Sequence, residues 1–253
     1  MPHDDRLLWL FLLLVYVAVQ EFLVFCYTGS FAFSPMLAAI CIIYLAGLVH
    51  GSFSERYELK LKARYILLGF GYFLLSLFII VLLGLLFRAL TGAQLFEQFS
   101  HRVLFSPKVH SNNYIIFYVF KRLLSSLGML GLMFIFAILA VVALVEEIVF
   151  RGVILDAVKQ LASVLVSERT ALAVAVVFQA ALFAVLHLAC WNLAALGKQY
   201  WPVVLSVVLE LAALGIILAW ARLRTGSLAV SAACHFFYDA CVVLAMFLYF
   251  RLV

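Results

Sequence analysis

Seven long stretches of this chain are almost free of charged side chains, and they limit what it can fold into more than any other feature. They cover residues 7–27, 34–50, 65–87, 123–145, 171–191, 202–221 and 227–250. About 20 mostly apolar residues cross the hydrocarbon of a bilayer as a helix. Backbone in lipid must satisfy its own hydrogen bonds, and these runs are too long and too continuous for barrel strands, so they predict transmembrane helices. The composition agrees, with 68% hydrophobic and 11% charged residues among 253, against about 25% charged in soluble domains. That balance excludes a water-soluble globule, a disordered chain and a disulfide-rich secreted module. The expected fold is all-α, a polytopic transmembrane helical bundle with seven or eight spans.

The polar stretches set the remaining organisation. Residues 52–64, SFSERYELKLKAR, are charged, and residues 88–113 are long enough to hold an interfacial helix. Pro202 opens its run as a first-turn proline would. The leading MPHDDR is acidic, without the basic region or A-x-A-like site of a signal peptide, so the first run reads as a retained span. Lys and Arg number ten over the N-terminus and alternate loops and seven on the other side, which favours a cytoplasmic N-terminus in a multi-pass protein of the cell membrane. The net charge is +5, yet no basic run exceeds Lys121-Arg122. The excess therefore suits loops beside anionic lipid, and the bilayer rather than nucleic acid is the expected partner. Cys26, Cys41, Cys190, Cys234 and Cys241 all sit in apolar runs with no C-x-x-C. They read as packing residues, not as a disulfide framework or a zinc knuckle.

Ionisable side chains at membrane depth are costly and point to function. Eight are candidates: Glu21, Glu146, Glu147, Arg151, His187, Glu210, His235 and Asp239. Six fall into three short patterns. In Glu146-Glu147-Ile-Val-Phe-Arg151, Glu147 and Arg151 are four apart and pair on one helix face. Glu146 points about 100° away and stays free. Neighbouring carboxylates in unlike environments can be given unlike proton affinities, which acid–base catalysis needs. In Phe183-Ala-Val-Leu-His187 a histidine stands near a helix end. In His235-Phe-Phe-Tyr-Asp239 the i, i+4 spacing lets an acid orient an imidazole. Each pattern alone also fits a salt bridge, a packed histidine or a polar pair gluing helices. Together a glutamate and two histidines supply a base, a held water and an oxyanion stabiliser.

In this order on hydrophobic helices, E-E-x-x-x-R, F-x-x-x-H and H-x-x-x-N/D resemble the CAAX protease and bacteriocin-processing (CPBP, or Abi) family of intramembrane glutamic-type proteases. TGSLAVSAACHFFYDA is similar to the small-residue lead into that family's last motif helix. The resemblance covers about residues 123–250 and divides the chain into residues 1–113, N-terminal helices and loops with no family match, and residues 114–253, a protease-like core. It implies a membrane-embedded endopeptidase in which Glu146 with His187 activates water. Glu147 and Arg151 are implied as a supporting pair, and His235 and Asp239 as oxyanion stabilisers. Where this chain has Asp239 the family more familiarly carries Asn. An ionised carboxylate repels an oxyanion, so Asp239 must act protonated or by orienting His235. The implied substrate is a membrane-associated or C-terminal peptide segment, of CAAX type or a sorting or bacteriocin peptide.

Other readings weigh less. H-E-x-x-H and G-x-S-x-G are absent from the sequence. Zinc on Glu146, His187 and His235 is possible chemically, but a metal-free site is favoured because no ligand pair has the zincin spacing. A transporter, or a non-enzymatic bacteriocin-immunity protein on the same scaffold, is the alternative. Glu21, Glu210, Asn192 and Gln179 are placed outside the catalytic set, with Gln179 expected to line the same cavity. One conflict concerns depth. If a span ends at Val145, Glu146 and His187 fall at opposite interfaces. Continuing the Glu146 helix to about Ala157 brings them level, and residues 114–135 then form a separate or steeply tilted helix.

Overall fold

The structure is a computed structural model that describes residues 62–92, 121–189 and 198–252. The runs 7–27 and 34–50, residues 93–113 with their expected interfacial helix, the 113/114 boundary, Glu21 and Asn192 lie outside the described residues. Within them every apolar run is helical and no strand occurs. Helix α1 is Ala63–Thr91. Helix α2, Met129–Glu147, passes through a π-helical turn, Ile148–Ile154, into α3, Leu155–Ser163. Helices α4, α5 and α6 are Glu168–Ala189, Trp201–Thr225 and Leu228–Leu252. Among the described residues, five helices are long and apolar enough to cross a membrane, the α2–α3 rod counting as one.

Glycines punctuate these elements where the chain must turn. Gly92 (φ 90°) and Gly226 (φ 71°) end α1 and α5, donating back to the carbonyls of Arg88 and Arg222. Such positive φ costs glycine nothing and other residues much. Gly128, at φ 55°, corrects the helix expected over 123–145. Residues 121–127 form a separate helical stretch, and α2 starts at Met129. A Cβ on Gly131 would lie 2.5 Å from the Leu123 carbonyl oxygen, so the short stretch folds back closely on α2. At its other end the rod runs beyond Val145 to Ser163.

Helix α1 packs on α5 and α6, α2 on α6, α3 on α4, and α4 on α5, while the π turn touches α4, α5 and α6. The rod thus changes partners at its π turn. Close crossings use small residues, as expected where lipid gives no hydrophobic drive between helices. A Cβ on Gly69 would lie 2.5 Å from the Ala233 Cβ and 2.9 Å from the Val230 carbonyl oxygen. On Gly215 it would lie 3.0 Å from the Ala180 Cα. The core joins Phe73 of α1, Val145 of α2, Phe150 of the π turn, Phe183 of α4, Leu214 and Leu218 of α5 and Cys234 of α6. Leu67, Phe78, Leu85 and Met133 stay exposed on the outer faces, which suits contact with acyl chains.

Gly69→Ala is expected to lower unfolding stability in detergent by about 1–3 kcal/mol, the range for overpacking. Gly71→Ala, with nothing among the described residues within 4 Å of the new methyl group, should be close to neutral. Equal unfolding midpoints for the two variants would show that the Gly69–Ala233 crossing is not tight.

Candidate active site

Glu146 is the central residue of the 35-residue rod Met129–Ser163. The helix does not end at Val145, and His187 lies within 3.7 Å of Glu146, so the depth conflict raised by a span ending there does not arise. Immediately after Glu147 the backbone enters the π turn. Such i→i+5 segments are rare and concentrate at functional sites. It places Arg151, Phe150 and Val149 together in the interior, where all three are buried.

Arg151 donates from Nη1 to Glu147 Oε1 at 2.8 Å, and both side chains are wholly buried. Its Nη2 reaches the Gly215 carbonyl of α5 at 3.4 Å. The guanidinium lies over the Phe183 ring at 4.5 Å and the Phe150 ring at 5.6 Å. Gln179 of α4 donates to the same Gly215 carbonyl at 3.0 Å and to Val176 at 3.1 Å. Glu147 Oε1 also receives His235 Nδ1 at 3.0 Å. A carboxylate bound to arginine is an acceptor, so His235 carries a proton on Nδ1 and turns Nε2 to the other side. There Nε2 lies 3.8 Å from Glu146 Oε2 and 3.6 Å from Asp239 Oδ2.

His187 is fixed in the same way by a different partner. Its Nδ1 is 2.8 Å from the Phe183 carbonyl, one turn back on α4. A carbonyl only accepts, so Nδ1 carries a proton and the ring, when it bears only that one, has its lone pair at Nε2. That nitrogen faces Glu146 Oε2 at 3.7 Å. The Phe183 ring packs 4.3 Å from His187 and edge-on 5.6 Å from His235. Two imidazole Nε2 atoms therefore converge on one carboxylate oxygen that is buried and has no hydrogen-bond partner among the described residues. The separations exceed direct hydrogen bonds but suit bridging by one small polar group. Glu146 and His235 form the floor, with 9% and 3% of their side chains exposed. His187 and Asp239, 32% and 26% exposed, form the mouth.

The structure brings Glu146, Glu147, Arg151, His187, His235 and Asp239 into one group from three separate stretches of chain. Glu210 takes no part in these contacts and accepts from Ser206 Oγ at 2.7 Å. Gln179 does not line the mouth. It is wholly buried behind Arg151, and this corrects the expectation that it faces the cavity. Sequence reasoning held Phe183 in the F-x-x-x-H pattern without reading its contacts with His187 and Arg151, and it missed Gly215. The i−4 spacing of Phe183 from His187 was a usable signal, whereas nothing in the sequence marks the Gly215 carbonyl. Cys234 and Cys241 are free thiols. Among the described residues no group of three or more His, Cys, Asp or Glu side chains is arranged to hold a metal ion.

Residues 128–241 match the family model described as type II CAAX prenyl endopeptidase Rce1-like. This segment contains all six residues of the group, and over it the family resemblance read from the motifs is borne out. Neither a curated protein nor a solved structure matches the chain.

Removing one partner of a buried ion pair leaves the other charge uncompensated. Arg151→Met should lower stability by about 3–5 kcal/mol, and adding Glu147→Leu should restore part of that loss. Detergent unfolding of both single variants and the double variant measures the coupling, and strictly additive losses would contradict the pairing.

Proposed function

We propose, on the premise of the Rce1-like segment, that the chain is a membrane-embedded endopeptidase whose glutamate and histidine activate water against a peptide bond. The observation that carries this reading is the approach of His187 Nε2 and His235 Nε2 to Glu146 Oε2, at 3.7 and 3.8 Å. A water hydrogen-bonded to the Glu146 carboxylate and to the His187 lone pair gives its proton to Glu146 as its oxygen attacks the carbonyl carbon. The carbonyl oxygen takes on negative charge. His235, held at Nδ1 by Glu147, meets that charge from Nε2 when both nitrogens carry protons, and Asp239 assists as a neutral acid or by holding His235. Collapse of the intermediate breaks the C–N bond, and the proton held by Glu146 passes to the departing amine. Atoms and charge balance without a cofactor, and burial strengthens each interaction with the developing charge.

The substrate class proposed is a peptide segment tethered to or inserted in the bilayer, CAAX-type tails among them. Its scissile bond reaches the group through the mouth between His187 and Asp239. The mechanism uses no metal, and zinc held by Glu146, His187 and His235 is the alternative that chelation tests.

Purified protein in detergent or vesicles, offered a panel of candidate membrane-tethered peptides, tests the reading. Glu146→Gln and His187→Ala should each lose about 10²–10⁴-fold in rate while remaining folded. Wild-type turnover in both would end the mechanism. Exhaustive chelation should leave the rate unchanged. A loss restored by zinc alone would replace the water-activating glutamate with a zinc hydrolase on the same side chains.

A further inference from the structure

Behind the proposed catalytic group lies a buried chain of hydrogen bonds that the mechanism above does not use in full. It starts at Gln179 on α4, whose amide nitrogen donates to the Gly215 carbonyl of α5 at 3.0 Å. The same oxygen accepts Arg151 Nη2 at 3.4 Å, and Arg151 Nη1 donates to Glu147 Oε1 at 2.8 Å. That oxygen accepts His235 Nδ1 at 3.0 Å. Gln179, Arg151, Glu147 and His235 are all buried. Each of the two acceptor oxygens is shared by two donors, so a change at one donor alters what the other experiences.

We propose that Gln179 is a positioning residue for His235, acting across helices through the Gly215 carbonyl, Arg151 and Glu147. This rests on the reading of His235 as part of the proposed active site. The orientation of the Gln179 amide follows from its surroundings: the Val176 and Gly215 carbonyls can only accept, so the NH2 group faces both. Glutamine supplies two neutral donors there, and a lysine or arginine would bury a second charge. The Gly215–Ala180 crossing, too close for a Cβ without movement, holds α5 at the distance from which one carbonyl serves both donors. Without Gln179, the Gly215 oxygen loses its shorter bond and draws the guanidinium toward itself. The guanidinium then pulls away from Glu147, and the His235 ring follows Glu147.

The location of the effect separates this role from simple packing. Gln179 shares α4 with His187, two turns away, whereas His235 belongs to α6. A local disturbance of α4 should be felt at His187, and a transmitted one at His235. Imidazole resonances of isotope-labelled full-length protein in detergent, assigned with His187→Gln and His235→Gln, report each ring without any substrate. Gln179→Met, which keeps length and removes both donors, should shift the His235 Nδ1–H resonance and leave that of His187 in place. Gln179→Glu, close to glutamine in shape, should do the same and keeps the test decisive should the methionine variant fail to fold. On a Glu147→Gln background the Gln179→Met shift should vanish, since the link is cut. With a cleaved peptide, Gln179→Met should lower kcat by about 10-fold or more, with KM little changed. An unmoved His235 signal in either folded variant, or movement at His187 alone, would overturn the proposal. Because the spectra need no substrate, an absence of turnover in wild type would count against the endopeptidase reading and leave this result standing.

Discussion

The Glu147–Arg151 pair, closed inside the bundle with no exposure of either side chain, is the interaction on which the rest of the structure depends. An isolated guanidinium at membrane depth is costly, and so is an isolated carboxylate. Here each offsets the other, and the second terminal nitrogen and the face of the guanidinium find partners on other helices. Arg151 touches α5 through a carbonyl and α4 through an aromatic ring, while Glu147 reaches α6 through an imidazole. One ion pair therefore fixes the relative positions of three helices around the rod. Because breaking it leaves a charge without water, the arrangement has few alternatives of comparable energy.

The π turn makes this economy possible. It lies where the rod leaves α6 and meets α4, and it contacts α4, α5 and α6 at once. The widened backbone gathers Val149, Phe150, Arg151 and Gly152 on the buried side. Phe150 meets Phe183 edge to face at 5.1 Å, so the aromatic wall beside the ion pair comes from two helices. Phe183 then has two roles at one position: its ring covers Arg151, and its carbonyl sets which nitrogen of His187 is bare.

Much of this was legible because charge in lipid is rare. The spacing of Glu147 and Arg151 gave their pairing directly, since residues four apart on a helix face one another. The same rule placed His235 beside Asp239, and the apolar runs marked α1, α4, α5 and α6 to within a few residues. Other parts could not be read. Gly128 looks like any small residue in an apolar run, yet its positive φ moves the start of α2 from 123 to 129. No local propensity announces a π turn, because its register is set by contacts with three other helices. Gln179 pointed vaguely to the cavity, but its true partner is the backbone of Gly215, and a backbone carbonyl has no signature in sequence.

The rod's length has a further consequence. At about 1.5 Å per residue it is some 52 Å long, well beyond a hydrocarbon thickness of about 30 Å. Its α3 end carries Asp156 and Lys159, and Lys159 meets Glu168 at 3.1 Å with both side chains open to solvent. If that exposed pair lies at a headgroup boundary, Glu146, thirteen residues from Lys159, stands roughly 20 Å from it along the rod. The carboxylate is then nearer the opposite leaflet. A polypeptide approaching from the far leaflet would have the shorter path, and one from the α3 side would need to shed its hydration over most of the membrane's thickness first.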